Sequence, residues 1–591
     1  MESRERRAHL TRYLILGIFF LLFVKIFYLQ VLNYGFYKQM SDKNRIRLIP
    51  QPAPRGIIKD RNGKQLASNR ASFTVSVIPY EVKNLNHTLS LLSKILKTDY
   101  QELSKKVEEA GLKSFPPVKL QQDLDFSTLS QIAEKSEELG GVIYQIEPIR
   151  QYPQQNWASH LLGYVSEISK TELEKLARLN LRQGVYIGKD GVEKKYDEYL
   201  RGKEGCNFLE VTASGRVLGP LKDKIPEEPL PGLELKLTID ADLEAIAESV
   251  LSNYPAGAIV ALDPQSGEIL CAASYPGFDA NMFLSTLTPE LWKQISTAPN
   301  FPLIDRCFQG SYPPGSIAKI IIAGAALEAG LITKETRFSP CHGFYTFGTR
   351  TFRCWKPEGH GQLNLIDAIA QSCDVYFYQL GLKVGIEKIA NSASNCGWGK
   401  KLGVDLPDEN SGLVPSIPYY DKKYGTGKWP KSLVLNIAIG QGEFLTTPLQ
   451  VAALYAALGN QGIMYQPYIV KEIISPTQRL VTTKNIIRQL PFSAKTLEIL
   501  NQGLQEVVHS PEGTGQIARV EGIKTAGKTG TAQNPFGLEH AWFVGYAPAD
   551  YPKIAVAVLL ENTGHGGEFA APVAKKIMEA YLKQVVQMVQ N

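Results

Sequence analysis

From Tyr13 to Leu32 the chain runs through twenty residues whose only strongly polar members are Lys25 and Gln30. Twenty residues of helix span about 30 Å, the thickness of a bilayer's hydrocarbon layer. Arg4, Arg6, Arg7 and Arg12 precede the segment, and a basic flank stays on the cytoplasmic side of a membrane. The expected arrangement is a cytoplasmic tail over residues 1–12, a transmembrane anchor over 13–32, and everything after Leu32 outside the cytoplasmic membrane. Lys25 fits, because a lysine in the outer half of a helix extends its ammonium toward the interface. A cleaved signal peptide is the alternative. It needs small residues at a cleavage site, and Leu32-Asn33-Tyr34-Gly35-Phe36-Tyr37 offers one glycine among bulky side chains. No other stretch is long and apolar enough to span, so a single crossing is expected.

The 591 residues exceed one core and imply roughly two to four folding units. A net charge of +6, without basic runs interleaved with aromatics, gives no reason to expect nucleic acid. After the anchor, a mixed region is expected over residues 33–235. Arg61-Asn62-Gly63 reads as a turn between extended segments, the second being Ser72 to Ile78. Charged, helix-prone sequence follows between Leu85 and Leu139. The proline-rich run from Ile225 to Gly232 suits a linker. The second domain, residues 236–591, opens with a strand at Leu235 to Ile239 and a helix from Asp242. Ala258 to Leu262 and Glu268 to Ala272 then flank a hairpin turn. Mainly helical sequence precedes three late strands, around Lys524 to Thr531, Ala541 to Gly545 and Lys553 to Leu560, and a last helix near Ala571. The fold class expected is α+β, with an antiparallel sheet built from both ends of the domain and helices on its faces.

The chemistry is concentrated in that domain. Ser316-Ile317-Ala318-Lys319 follows Pro313-Pro314-Gly315 and enters an apolar, Ala-rich run. A serine in the first turn of such a helix has the lysine one turn later on the same face. Desolvation lowers a lysine's pKa, so the amine can act as base for the hydroxyl. Taken alone, a serine opening a helix reads equally well as an N-cap. Two further elements change the reading: Ser372-Cys373-Asp374 at the start of a helical stretch, and Lys528-Thr529-Gly530-Thr531 on the first late strand. A glycine there leaves room for a substrate backbone, and the flanking Lys and Thr side chains can bind a carboxylate. Ser-x-x-Lys, a Ser-x-Asn-like element and Lys-Thr-Gly occur together in penicillin-binding proteins and class A β-lactamases.

From about Arg55 to Glu579 the chain resembles the class B penicillin-binding proteins of the elongation type, known as penicillin-binding protein 2. Further matching landmarks are Arg55 to Arg61, Gly188 to Tyr196, Leu200-Arg201-Gly202, Gly440-Gln441-Gly442-Glu443 and His540 to Pro548. Asp374 departs from the more common Asn, a variant similar to that of the elongation type. The resemblance implies a serine DD-transpeptidase that cross-links peptidoglycan stem pentapeptides and is acylated by β-lactams. It implies Ser316 as nucleophile, Lys319 as its base, and Ser372 with Lys528 in protonating the leaving D-alanine. The backbone N–H groups of Ser316 and Thr531 would form the oxyanion hole. Thr529 and Thr531 would hold the substrate carboxylate, with Asp374 and Gly530 lining the same site. The implied partners are a polytopic glycosyltransferase and the scaffold protein MreC.

Three of the seven cysteines, Cys341, Cys354 and Cys373, fall near His360. This pattern resembles elongation-type members that bind zinc near the active site. Three thiolates and an imidazole make a closed, structural set, although His342 competes as a ligand. A Cys341–Cys354 disulfide and free thiols are the other readings. Two other functions share the motifs: a β-lactam sensor or scaffold that does not turn over, and a carboxypeptidase or β-lactamase that gives the acyl group to water. The large region before residue 236 favours a synthetic enzyme.

Overall fold

The computed structural model describes residues 2–111, 117–179, 181–211, 217–221, 224–284, 288–535 and 537–590. Among them one helical segment, Arg6–Leu32, is long and apolar enough to cross a membrane. It is an α-helix over Glu2–Phe27 that continues as a π-helical turn over Tyr28–Leu32. Its Leu, Ile and Phe side chains are exposed all round, an arrangement that lipid solvates and water does not.

The chain divides into two compact units, crossing between them several times. The first takes Met1–Pro54, Arg70–Ile149 and Gly202–Gly232. In it, Ile46–Gln51 pairs antiparallel with Gly205–Val211, which pairs with Val217–Pro220. The later residues of the strand Gln65–Val77, longer than the expected Ser72 to Ile78, pair with Val118–Leu124. Within the helix-prone stretch, residues 112–116 lie outside the described residues; the rest supplies the helices Leu85–Leu96, Tyr100–Ala110 and Phe126–Glu134. Each opens on a side-chain cap, from Asn84, Asp99 and Asp125, which satisfies an N–H that would otherwise be orphaned. The proline-rich run is not a free linker. Glu227 and Leu230 form bridges with Cys206 and Lys203, because these two non-proline residues keep both the N–H and the C=O that a ladder needs.

The second unit takes Arg55–Asn69, Arg150–Arg201 and Leu233–Asn591. Its centre is an antiparallel sheet of β1 (Gly257–Leu262), β2 (Ile269–Tyr275), β3 (Ala526–Ala532), β4 (His540–Ala547) and β5 (Ile554–Leu560), in the order β2-β1-β5-β4-β3. The expected hairpin and the three late strands are all present. β1, β4 and β5 are apolar on both faces because helices cover both, which leaves β3 as an open edge. The last helix, Gly566–Gln590, begins before the expected Ala571 and contains Pro572.

Two of the sequence landmarks meet in this unit. The fully buried Glu193 accepts from Arg55 Nε at 2.6 Å and Arg150 Nε at 2.7 Å, and from Tyr152 at 3.2 Å. Arg55 also pairs with Asp197 at 2.8 Å. Such a network tolerates burial only when its members are all present.

The helix Ala241–Leu251 carries a second buried acidic pair. Glu244 accepts from Ala272 N–H and Glu248 from Ala158 N–H. Burial, and then the Glu244 carboxylate, push the Glu248 carboxyl up to about 8. A carboxyl raised from 4.5 on folding contributes stability that is complete below 4.5 and is lost as pH rises through 8. Glu248→Gln is therefore expected to flatten that dependence. Between pH 5 and 8 the variant should gain about 3 kcal/mol on the parent, an order-of-magnitude figure from the shift. Chemical denaturation across that range reads it, and parallel curves would refute it.

Candidate active site

Pro313 and Pro314 cannot continue a strand ladder, and the chain turns at Gly315 into a 3₁₀ turn, Gly315–Ala318. The α-helix Lys319–Glu328 follows. Ser316 thus sits on the 3₁₀ turn and not in the first α-helical turn as expected; tightening of this kind is common where a helix starts. Ser316 caps neither element, which removes the purely structural reading of this serine. It is half-buried, whereas Ile317 and the residues from Ala318 to Ala326 are buried. The apolar run over residues 320–326 packs inside the domain, and Lys319 is carried in with it.

Lys319 is 0% exposed, yet its ammonium is saturated. Nζ donates to Ser372 O at 2.7 Å, Ser372 Oγ at 3.2 Å and Asp374 Oδ1 at 2.7 Å. The second motif is shaped to supply these acceptors. Ser372 has φ +53°, a left-handed conformation that costs a non-glycine residue on the order of 1 kcal/mol. The helix Asp374–Val384 starts directly after it. Asp374 Oδ2 accepts from Trp355 N–H at 3.0 Å, so both carboxylate oxygens are held. Burial pushes the Asp374 carboxyl up, against the pull of Lys319.

Lys528 approaches the same serine from the sheet. It lies on the edge strand β3, fully buried, and its Nζ donates to Ser372 Oγ at 2.8 Å and to Thr529 O at 3.1 Å. Burial, and then the charge of Lys319, pull the Lys528 amine well below the ordinary lysine range; Asp374 opposes this. One hydroxyl is therefore shared by two buried lysines, the arrangement of a proton relay. Thr529 Oγ1 meets Thr514 Oγ1 at 2.7 Å, and Thr531 is half-buried on the same strand. The space spared by Gly530 faces the chain itself. A Cβ there would lie 3.0 Å from Pro314 O, Ile317 Cγ1 and Trp542 Cβ. The glycine lets the turn that carries Ser316 pack on the strand.

Cys341, Cys354, His360 and Cys373 come together, their ligand atoms all within 4.8 Å of one another. His360 Nδ1 is 3.6 Å from Cys341 Sγ and 3.5 Å from Cys354 Sγ. A tetrahedral zinc, with Zn–S of about 2.3 Å and Zn–N of about 2.0 Å, separates its donors by roughly 3.5–3.8 Å, so these residues fit one. All seven cysteines are free, which removes the Cys341–Cys354 disulfide. His342 is exposed and is not one of the four. The hydrogen bond from Cys373 draws the Cys354 thiol down and pushes the Cys373 thiol up, so the pair shares one proton.

Comparison with known proteins agrees with this geometry. Residues 257–579 match the penicillin-binding protein transpeptidase domain, and residues 50–237 match the penicillin-binding protein dimerisation domain. The peptidoglycan D,D-transpeptidase MrdA of Haemophilus influenzae is 33% identical over all of this chain and 94% of its own length. The chain belongs to the class B penicillin-binding proteins, of the penicillin-binding protein 2 type. A solved complex of penicillin-binding protein 2 and MreC from Helicobacter pylori is similar with a TM-score of 0.78 and 31% identity, covering 90% of this chain and 99% of that one. A peptidoglycan synthase complex that coordinates polymerization and crosslinking contains a chain with a TM-score of 0.68 and 29% identity, covering 97% of this chain and 98% of that one.

In this penicillin-binding protein, hydrogen bonds join Lys319, Ser372, Asp374 and Lys528. Among the described residues Ser316 Oγ has no hydrogen-bond partner, a common state for an active-site nucleophile without substrate. Sequence reasoning missed Trp355, whose backbone holds Asp374, and Thr514, which meets Thr529. A backbone donor and a threonine on a distant loop carry no local signature. Asp374→Ala strands a buried ammonium and is expected to destabilise the full-length protein in detergent by about 3 kcal/mol. Asp374→Asn still offers an acceptor and is expected to cost less than half of that. Thermal unfolding of the two variants tests the ranking, and equal losses would contradict it.

Proposed function

We propose that this penicillin-binding protein is a membrane-anchored peptidoglycan DD-transpeptidase that acts in cell elongation through an acyl-enzyme on Ser316. The observation that carries the reading is Ser372 Oγ held by the amino groups of two buried lysines, Lys319 of the Ser316 motif and Lys528 of the edge strand. Ser316 Oγ attacks the carbonyl between the two D-alanines of a stem pentapeptide while Lys319 takes its proton, having first passed one of its own to the Asp374 carboxylate at 2.7 Å. The oxyanion sits against the backbone N–H groups of Ser316 and Thr531, where fixed donors act with little reorganisation. The C–N bond breaks, and D-alanine leaves with a proton delivered through Ser372 and Lys528; the depressed pKa of Lys528 makes it a readier proton donor than an ordinary lysine. Thr529 and Thr531 hold the terminal carboxylate, with Asp374 and Gly530 completing the site. An amine from a neighbouring stem then attacks the ester, forming the cross-link and returning the serine hydroxyl. β-Lactams acylate the same serine.

The anchor over 13–32 carries residues 1–12 in the cytoplasm, a pedestal over 33–235 and the transpeptidase domain over 236–591 outside the inner membrane. The basic residues before the anchor support this orientation. An MreC-type scaffold and a polytopic glycosyltransferase are the proposed partners, supported by the similarity to the MreC complex and to the synthase complex. Cys341, Cys354, His360 and Cys373 would hold a structural zinc. Bound there, the ion would cross-link the segment Cys341–His360 to Cys373 inside the second motif, and it takes no part in acyl transfer.

Incubation with benzylpenicillin, followed by intact-protein mass spectrometry, tests the nucleophile. A penicilloyl adduct mapped to Ser316 and absent from Ser316→Ala is expected; intact drug and no adduct on folded protein would favour a scaffold, and rapid hydrolysis without an adduct a β-lactamase. Metal analysis of the purified protein should give about one zinc per chain. Cys354→Ser should lose that zinc and unfold at lower temperature. A parent protein free of metal, with no gain in thermal stability on added zinc, would exclude the site.

A further inference from the structure

The landmark Gly440-Gln441-Gly442-Glu443 has no role in the chemistry above, yet it lies against both parts of the oxyanion hole. Gly440 O accepts from Gly315 N–H at 2.9 Å, and Gly315 is the residue before Ser316. The contact is close enough that a Cβ on Gly440 would collide with Gly315 O. The next residue reaches the other part. Gln441 Nε2 donates to Thr531 O at 3.0 Å, and Gln441 Oε1 accepts from Gln533 N–H at 3.3 Å. A carbonyl only accepts and a backbone N–H only donates, so these two partners fix which way the amide points.

The direction of Thr531 follows from the same bond. In an antiparallel ladder a residue presents its N–H and C=O on the same side of the strand. Thr531 lies opposite Ala541 on β4, and its C=O is turned away from β4 to Gln441, so its N–H also leaves the open edge of β3. Gly315 occupies that edge: a Cβ on it would lie 2.7 Å from Thr531 O and 3.2 Å from Thr531 N. The bracket is itself fixed, because Gly440 N and Gln441 N donate to Ile437 O and Asn436 O at the end of the helix Leu433–Ala438.

We infer that Gly440 and Gln441 form a bracket that sets the spacing between the Ser316 and Thr531 N–H groups, with Gln441 a positioning residue for the oxyanion hole. The inference rests on Ser316 being the acylated nucleophile. Gln441 touches no reacting atom. It acts through Thr531, so its loss slows the bond-forming step and leaves the initial binding of an acylating ligand nearly unchanged.

Stopped-flow acylation of the full-length protein in detergent by benzylpenicillin separates these two quantities. Gln441→Met keeps the volume and loses both hydrogen bonds. Gln441→Glu keeps the acceptor for Gln533 N–H and faces Thr531 O with a second acceptor. Both are expected to lower the acylation rate constant of the bound complex by about tenfold or more, with the dissociation constant of the initial complex changed less than about threefold and the thermal midpoint little altered. Rates within threefold of the parent in both variants would overturn the inference. So would a loss confined to the dissociation constant, or a failure of both variants to fold, which would make the bracket a stability element. A parent protein that is not acylated at all would instead overturn the reading of Ser316.

Discussion

A fully buried lysine ammonium has to be surrounded by acceptors, and much of the local architecture supplies them for Lys319. The carbonyl and hydroxyl of Ser372 and one oxygen of Asp374 meet it at 2.7–3.2 Å. Taking a charge out of water costs several kcal/mol, and removing one partner of such a pair leaves much of that cost uncompensated. The second motif is held accordingly. Ser372 accepts an unfavourable backbone conformation, and the Trp355 N–H occupies the other oxygen of Asp374. The resulting geometry leaves Ser372 Oγ between two amines.

The two lysines are equally buried and differ in their neighbours. Lys319 has a carboxylate at 2.7 Å. Lys528 has only a hydroxyl and a carbonyl, and burial, with the positive charge of Lys319, pulls its amine well below the ordinary lysine range. Shifting the pKa of a buried group by its surroundings is a general way of fitting it to a proton-transfer role. The cysteine cluster joins the same region through its chain neighbours: Cys354 precedes Trp355, and Cys373 lies between Ser372 and Asp374. A metal held there would restrain both sides of the Asp374 contact.

Legibility in the sequence followed the range of the interaction. The hairpin of β1 and β2, the three late strands and the anchor were readable because periodicity, turn residues and length are local properties. The proline-rich run looked like a linker because its pairing partners, Lys203 and Cys206, lie well before it in the chain. Gly530 looked like room for substrate, while its neighbours are Pro314, Ile317 and Trp542. The last helix starts earlier than its composition suggests, since Gly566 and Gly567 are weak helix formers and Pro572 lies inside it.

By itself the sequence determined which groups are available: a serine and lysine three residues apart beside a Pro-Pro-Gly turn, a second serine before an acid, a lysine on a glycine-containing strand, and three cysteines with a histidine. It also determined the α+β class through the order of its hydrophobic patterns. Tertiary structure decided which of these groups meet and in what electrostatic state. Ser372 and Lys528 are 156 residues apart, and Gln441 and Thr531 are 90 apart. No local propensity encodes such contacts, and only the packing of distant turns and loops against the edge strand β3 brings them together. The neighbourhood then sets how Lys528 holds its proton, because a charge's cost depends on what replaces the water around it, and that is a property of the folded chain.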